Sequence, residues 1–295
     1  MDNKILEKIN GETFLIKSYS NIGVFIFEKN VYLIDTGSNE SLAAKVGKYL
    51  FENFPDYEFV VVHTHCHVDH IKGNEKLKNR LNANFFAPIE ELSLGIYPEF
   101  EGIYLFGAPA PKFLKGSFFM AKGVIMNSLE ELAFPLEMLK LPGHSPGHTV
   151  FITPDEVVFL GDLVFGKDII EKYKYIYIMD VDKHLNSLEK AKNLRGSFFV
   201  PSHGKMMNRE EFLKTLEENI EFVKRQLDFF YNVLKTPLNI DEITGEFLTK
   251  INFTGNEGMY FLARSYVSAV VKYFYDRNML VADLTSKGLT FSLRN

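Results

Sequence analysis

The sequence predicts an α+β fold: two sheets packed face to face with helices outside them, followed by a small helical appendage. Three observations predict it. Strand signals come in runs with helical segments between them. Histidines and aspartates recur where apolar strands run out into loops, which is where α/β sheets carry their sites. From Arg209 the apolar spacing changes to that of helices.

Residues 12–35 read as consecutive strands. Gly23-Val24-Phe25-Ile26-Phe27 and Val31-Tyr32-Leu33-Ile34 flank the short polar turn Glu28-Lys29-Asn30, the pattern of a hairpin. Asp35-Thr36-Gly37 ends the second strand, and Ser38 or Asn39 can cap a helix over 40–53. Phe59-Val60-Val61-Val62 reads as a buried strand, Asn74 to Asn82 as a helix and Asn84-Phe85-Phe86-Ala87 as a short strand. The stretch 94–123 is broken by Gly95, Pro98, Gly102, Gly107, Pro109, Pro111 and Gly116, with aromatic residues between them. It reads equally as an insertion packed on its own aromatics or as a cover for a substrate site.

Strand signals return at 136–141, 149–152 and 156–160, then a helix over 182–194 and the buried strand 198–200. Phe212, Leu216, Ile220, Val223 and Leu227 mark a long helix ending near Leu234, and Pro237 stops it. A short helix over 242–249 with Asp241 as its cap, and a third over 259–277, lead to a hairpin over 279–293. Helix, helix, helix, hairpin is the order of a winged-helix unit. Residues 1–208 and 209–295 are accordingly expected to form two domains.

At 295 residues, with 46% hydrophobic and 24% charged residues, the chain has the make-up of a globular protein able to bury a sizeable core. A net charge of -5 opposes nucleic acid as the main partner. Residues 209–295 carry eleven Lys and Arg against twelve Asp and Glu, so the winged-helix order lacks a basic face. The unit reads instead as an appendage that caps the site or makes a homodimer contact. The single cysteine, Cys66, rules out an intramolecular disulfide and suits a reducing compartment. The N-terminus has no uninterrupted apolar stretch after its positive charges, and no apolar run approaches the ~20 residues of a membrane span. The expectation is a cytoplasmic protein with a small-molecule substrate and neither nucleic acid nor membrane as partner.

Thr64-His65-Cys66-His67-Val68-Asp69-His70 places four potential metal ligands within six residues at the carboxyl end of the strand 59–62. Without a metal each buried group would need its own hydrogen-bond partner. His144 lies in a turn stiffened by Pro142 and Pro146, Asp162 ends the strand 156–160, His203 follows the strand 198–200, and Asp35 follows the strand 31–34. One such residue would mean little. Together they imply a metal-dependent enzyme.

This set resembles the metallo-β-lactamase superfamily over roughly residues 12–208, through His65-x-His67-x-Asp69-His70 and, downstream in order, His144, Asp162 and His203. The resemblance implies a four-layer αβ/βα sandwich, a catalytic domain over 1–208, with metals in a cleft between the sheet edges. It implies His65, His67 and His144 as ligands of one ion and Asp69, His70 and His203 as ligands of a second. Asp162 would bridge the two, and Asp35 would stand behind the ligands and orient them. Two divalent ions, zinc or else iron or manganese, would lie about 3.5–4 Å apart and hold a hydroxide as nucleophile. Asp69 would guide that nucleophile or take its proton. His67 stands where the di-iron electron-transfer relatives have Glu, which favours zinc.

The Gly-His-Ser-Pro-Gly-His turn and Gly161-Asp162 with Phe165 look most like the glyoxalase-II-like and lactonase-like branch. Hydrolysis of a carboxylic ester bond, a thioester or lactone, is therefore expected. The alternative is a mononuclear iron persulfide dioxygenase, and behind it a phosphodiesterase. Ile71-Lys72-Gly73-Asn74 replaces the consecutive glycines of glyoxalase II, and the C-terminal unit lacks the basic pattern that holds glutathione. His63 is expected as a hydrogen-bonded neighbour of the ligands, His148 as a brace for the His144 loop, His184 at the surface or cleft rim, and Cys66 as no ligand.

Overall fold

Alternation of apolar residues turns two sheets toward each other in the computed structural model, which describes residues 5–294. The outermost residues of the two expected domains, 1–4 and 295, lie outside those described. In the first sheet β1 (Glu7–Asn10), β2 (Thr13–Ile16), β3 (Ile22–Phe27) and β4 (Asn30–Ile34) pair antiparallel in chain order. Next, β5 (Glu58–Val62), β6 (Asn84–Ala87) and β7 (Asn127–Ser128) continue it in parallel. The second sheet runs β8 (Glu137–Lys140), β9 (Thr149–Ile152), β10 (Val157–Gly161) and β11 (Phe198–Pro201), with only the last pair parallel.

The period of two decides what each face touches. Tyr32, Ile34, Val60 and Val62 face Phe151, Phe159 and Val200 of the second sheet. Val31, Leu33 and Val61 point the other way, onto Val46 and Leu50 of α1 (Glu40–Asn53) and Leu77 of α3 (Asn74–Leu81). Between these helices lies the single turn α2 (Val68–Ile71). On the far side, Val158 and Leu160 pack on Leu188 of α7 (Val181–Ala191) and on Phe212, Leu216 and Ile220 of α8 (Arg209–Val233). The result is helix, sheet, sheet, helix: the αβ/βα sandwich.

Local chemistry settles the helix starts. Asn39, rather than Ser38, caps α1 by accepting the Leu42 N–H at 3.0 Å. The expected cap Asp241 is corrected: α9 (Ile240–Lys250) begins two residues earlier, at a capping box between Asn239 and Glu242. Asp241 sits in the first turn instead and accepts from Tyr260 Oη and Arg264 Nε.

The segment 94–123 holds more helix than its breakers suggest: α4 (Leu92–Ile96) runs into it and α5 (Glu99–Phe106) lies inside it. Leu105, Leu114 and Phe119 pack against Met259 and Leu262 of α10 (Glu257–Asp276), so it rests on the C-terminal helices as well as on itself. The turn of helix α6 (Lys167–Tyr173) precedes Tyr175, Ile176 and Ile178, which join Phe230, Phe247 and Tyr266 in a second core. Helix α8 thus has its first half in the sandwich and its second half in this other core. Behind it, β12 (Leu238–Asn239) and the hairpin β13 (Leu280–Thr285) and β14 (Gly288–Leu293) form a small third sheet. No helix among the described residues is long and apolar enough to cross a membrane.

Candidate metal centre

Each of the seven expected ligands sits where a strand of one sheet or the other ends. β5 stops at Val62, and His65, His67, Asp69 and His70 follow on its loop and on α2. His144 lies between β8 and β9, Asp162 directly after β10, and His203 two residues after β11. Both sheets therefore empty their carboxyl ends into one cleft. His65 and His70 are fully buried, and Asp162 is 5% exposed.

The ligand atoms form three overlapping groups: His65, His67 and His144; His65, His70 and Asp162; and Asp69, His70 and His203. His144 Nε2 lies 2.9 Å from His67 Nδ1 and 3.2 Å from His65 Nε2. On the other side His203 Nε2 is 3.1 Å from Asp69 Oδ2 and 3.4 Å from Asp162 Oδ2. Asp162 spans the two halves, with Oδ1 3.4 Å from His70 Nε2 and Oδ2 3.5 Å from His144 Nε2.

Outer contacts fix which nitrogen of each ring faces inward. His144 Nδ1 donates to the Tyr177 carbonyl at 2.9 Å, and His203 Nδ1 donates to the Tyr19 carbonyl at 2.8 Å. Thr64 Oγ1 donates to Asp35 at 2.8 Å, leaving its lone pair for His65 Nδ1–H at 3.1 Å. His65 Nε2 and His144 Nε2 consequently point lone pairs at each other across 3.2 Å. A shared cation relieves that arrangement. His70 Nε2 and Asp162 Oδ1 are buried with no hydrogen-bond partner among the described residues, which again suits a metal. Imidazole with carboxylate is the donor set of zinc and its neighbours.

The electrostatics divide the site in two. Burial drives His65 and His144 well below the ordinary histidine range, and drives His67 down as well, so that side presents neutral rings. Burial would do the same to His70 and His203, but carboxylates overrule it. Asp69, Asp162 and Asp35 hold His70 well above its usual value, and Asp162 with Asp69 holds His203 up at about 10. Asp69 is held at about 2 against its own burial by His70 and His203.

Asp35 is buried behind the centre with φ 62, and accepts from His70 Nδ1 at 2.9 Å and from the Thr64 N–H at 2.9 Å. Despite its burial, His70 and His63 hold its carboxyl far below the usual range. Its anchor on the His-rich loop is direct.

A sequence profile of the metallo-beta-lactamase superfamily matches residues 16–203, well over half of the chain and all seven clustered side chains. The chain belongs to the metallo-beta-lactamase superfamily. Its His and Asp cluster is one that could hold metal. Hydroxyacylglutathione hydrolase GloC of Haemophilus influenzae is 31% identical over 140 residues, 47% of this chain and 63% of that protein's length. The probable metallo-hydrolase YybB of Bacillus subtilis is 26% identical, over 63% of this chain and 81% of its own. Among solved structures, a metallo-beta-lactamase family protein of Thermus thermophilus superposes with a TM-score of 0.69 at 18% identity, covering 93% of this chain and 94% of that one. At that coverage the likeness of fold extends past residue 203 into the C-terminal helices.

Other residues near the superfamily cluster differ from expectation in part. His63 Nδ1 faces Asp35 Oδ1 at 3.4 Å. His148 reaches further than a brace for its own loop: Nδ1 lies 3.2 Å from the Leu141 carbonyl and Nε2 accepts the Asp162 N–H at 3.0 Å. Its approach needs Gly161, since a Cβ there would lie 2.5 Å from His148 Nε2. His184 is corrected: it is fully buried rather than at the rim, because α7 starts against Gly143, where a Cβ would fall 2.3 Å from the His184 backbone nitrogen. Cys66 is buried and its thiol is pushed well up by burial, the opposite of a reactive cysteine.

Two glutamates escape a reading of the sequence. Glu91 is fully buried and accepts from the Cys66 N–H, Ser145 Oγ and the Gly147 N–H, tying the His65–His67 loop to the His144 loop. Glu101, on α5, lines the cavity above the centre. Neither carries a local signal. Glu91 sits in an ordinary Glu90-Glu91 pair, and Glu101 in the segment whose breakers mask a helix.

Proposed function

We propose that the protein is a metal-dependent hydrolase that cleaves a carboxylic ester-type bond, a thioester or lactone, with two metal ions in the cleft. The observation that carries this reading is Asp162 reaching both halves of the cluster at 3.4–3.5 Å, at the floor of a largely apolar cavity. His65, His67 and His144 would hold one ion, and Asp69, His70 and His203 the other, with Asp162 common to both. When bound, the ions supply an activated water and polarise the acyl oxygen.

The chain's own groups do the rest. Asp35 and the carbonyls of Tyr19 and Tyr177 keep His70, His203 and His144 turned inward. Asp69, with an oxygen 3.1 Å from His203 Nε2, guides the attacking water or takes its proton and passes it to the leaving oxygen or sulfur. Phe165, Ile169, Tyr175 and Ile176 form an apolar wall that excludes bulk water from the acyl group. The partial match to a protein named hydroxyacylglutathione hydrolase supports thioester chemistry. We extend the proposal to a small-molecule substrate and to residues 1–208 as the part that carries the chemistry, with α8 completing its core and α10 part of its cavity wall.

The test is a panel of thioesters, lactones and phosphodiesters assayed with the zinc-loaded protein, alongside its metal content. Turnover of the carboxylic esters with about two zinc or manganese ions per chain supports the reading. One iron per chain with oxygen consumption, or turnover of phosphodiesters alone, overturns it. Asp162→Ala should lose bound metal and fall to background turnover.

A further inference from the structure

The cavity above the centre is walled by Tyr19, by residues from Phe165 to Tyr177 in and around α6, by Met259 and Leu262 of α10, and by Glu101 with Phe118 from the 94–123 segment. Apart from the clustered ligands, the lining among the described residues is apolar or aromatic with one exception, Glu101. It belongs to none of the three ligand groups. It lies beside Val68 and Asp69, and its Oε2 is buried without a hydrogen-bond partner among the described residues. Among the described residues no Lys or Arg lines the cavity. Nearby, the Lys172 ammonium lies over the Tyr173 ring, 4.7 Å from its centroid, and is not part of the wall.

A buried carboxyl oxygen with no donor costs free energy, so Glu101 stands out in a wall that Leu or Met would fill more stably. The chemistry that satisfies it is a hydrogen-bond donor carried by whatever enters the cavity. An anionic acyl group buried there would meet no Lys or Arg from the wall to pair with.

We propose, building on the ester-hydrolase reading, that Glu101 is a positioning residue that selects substrates with an apolar acyl group bearing one hydrogen-bond donor, a hydroxyl or an amine. It selects against acyl groups bearing a carboxylate or phosphate. A site built to meet a donor discriminates by leaving its own polar group unpaired when the donor is missing. The effect falls on substrate binding and placement, while bond cleavage stays with the metal centre.

The experiment compares four matched acyl thioesters ending in methyl, hydroxyl, ammonium or carboxylate, using the zinc-loaded full chain and its Glu101→Leu and Glu101→Gln variants. The wild type should favour a donor-ended ester over the methyl-ended one by about tenfold to a hundredfold in kcat/KM, with the carboxylate-ended ester last. Glu101→Leu should abolish that ratio through KM rather than kcat. Glu101→Gln should keep preference for a hydroxyl and lose it for an ammonium, which tells the two donors apart. Calorimetric binding of the four corresponding inert ketones to the metal-free chain should show the same ranking. Equal losses on all four esters in Glu101→Leu, or a wild-type preference for the carboxylate, overturns the role of Glu101. Ranked ketone binding without hydrolysis of any ester instead overturns the ester reading and leaves Glu101 standing; unranked binding overturns Glu101 alone.

Discussion

Glu91 accepts the Ser145 hydroxyl at 2.7 Å while its other carboxylate oxygen accepts the Cys66 N–H at 3.2 Å. One side chain thereby holds together two loops that are 79 residues apart at their ligands, His65 and His144. Replacing it by Gln puts an amide donor where a backbone N–H already donates. Glu91→Gln should weaken metal at the His65, His67 and His144 group by about 10- to 100-fold, as outer contacts to ligands commonly do. Competition with a zinc-buffering chelator measures it. Wild-type affinity in the variant would show that the two loops hold their places without the clamp.

Metal uptake should release protons. In the metal-free protein His203 keeps its proton up to about 10, and His70 is likewise held well above the ordinary histidine value. Both must give it up to bind an ion. Affinity should therefore rise with pH through neutrality toward about 10. The stability these charged rings lend the metal-free fold is full below the unfolded value of about 6.5 and is lost as pH climbs through the raised values. Calorimetry at pH 7 in buffers of different ionisation enthalpy should show net proton release, and melting should show zinc stabilising more at pH 9 than at pH 6.5. Binding heats that do not change with buffer would contradict it.

His184 should make the protein acid-sensitive. It is fully buried, neither ring nitrogen has a partner among the described residues, and burial pushes its value down to about 3. The unfolded chain takes up a proton below about 6.5, whereas the folded chain resists until about 3, so stability falls as pH drops through that window. His184→Leu should melt with a shallower pH dependence between 6.5 and 4 than the wild type. Parallel curves for the two proteins would remove His184 as the cause.

Phe212 should prove a core residue of the sandwich although it lies beyond residue 208. Its ring stacks on Phe199 of β11 with centroids 4.1 Å apart, and both are fully buried. Phe212→Ala should cost about 3–5 kcal/mol, measured by urea unfolding. A loss below about 1 kcal/mol would mean that α8 contributes little to the sheet it covers.

Much of this is legible in the chain itself. The period-two alternation of Val31-Tyr32-Leu33-Ile34 assigns two faces to β4, and both are filled as the pattern requires. The long helix after Arg209 shows in the spacing of Phe212, Leu216 and Ile220. The α9 start is ambiguous in the sequence because Asn239 and Asp241 are both capping residues, and only the reciprocal contact with Glu242 separates them. The helix α5 is hidden because its flanking prolines and glycines are also what a loop would carry.

Residue order alone is enough to place most strands of the two large sheets, the long helices that cover them and the cluster of His and Asp residues. These follow from local periodicity and from ligand types crowded at strand ends. Folding in three dimensions is what makes Glu91 join two loops, seals His184 behind Gly143, and brings the 94–123 segment and α10 together around a cavity with Glu101 in its wall. Those relations depend on which distant backbones come within hydrogen-bond or van der Waals reach, and no short-range pattern encodes that distance.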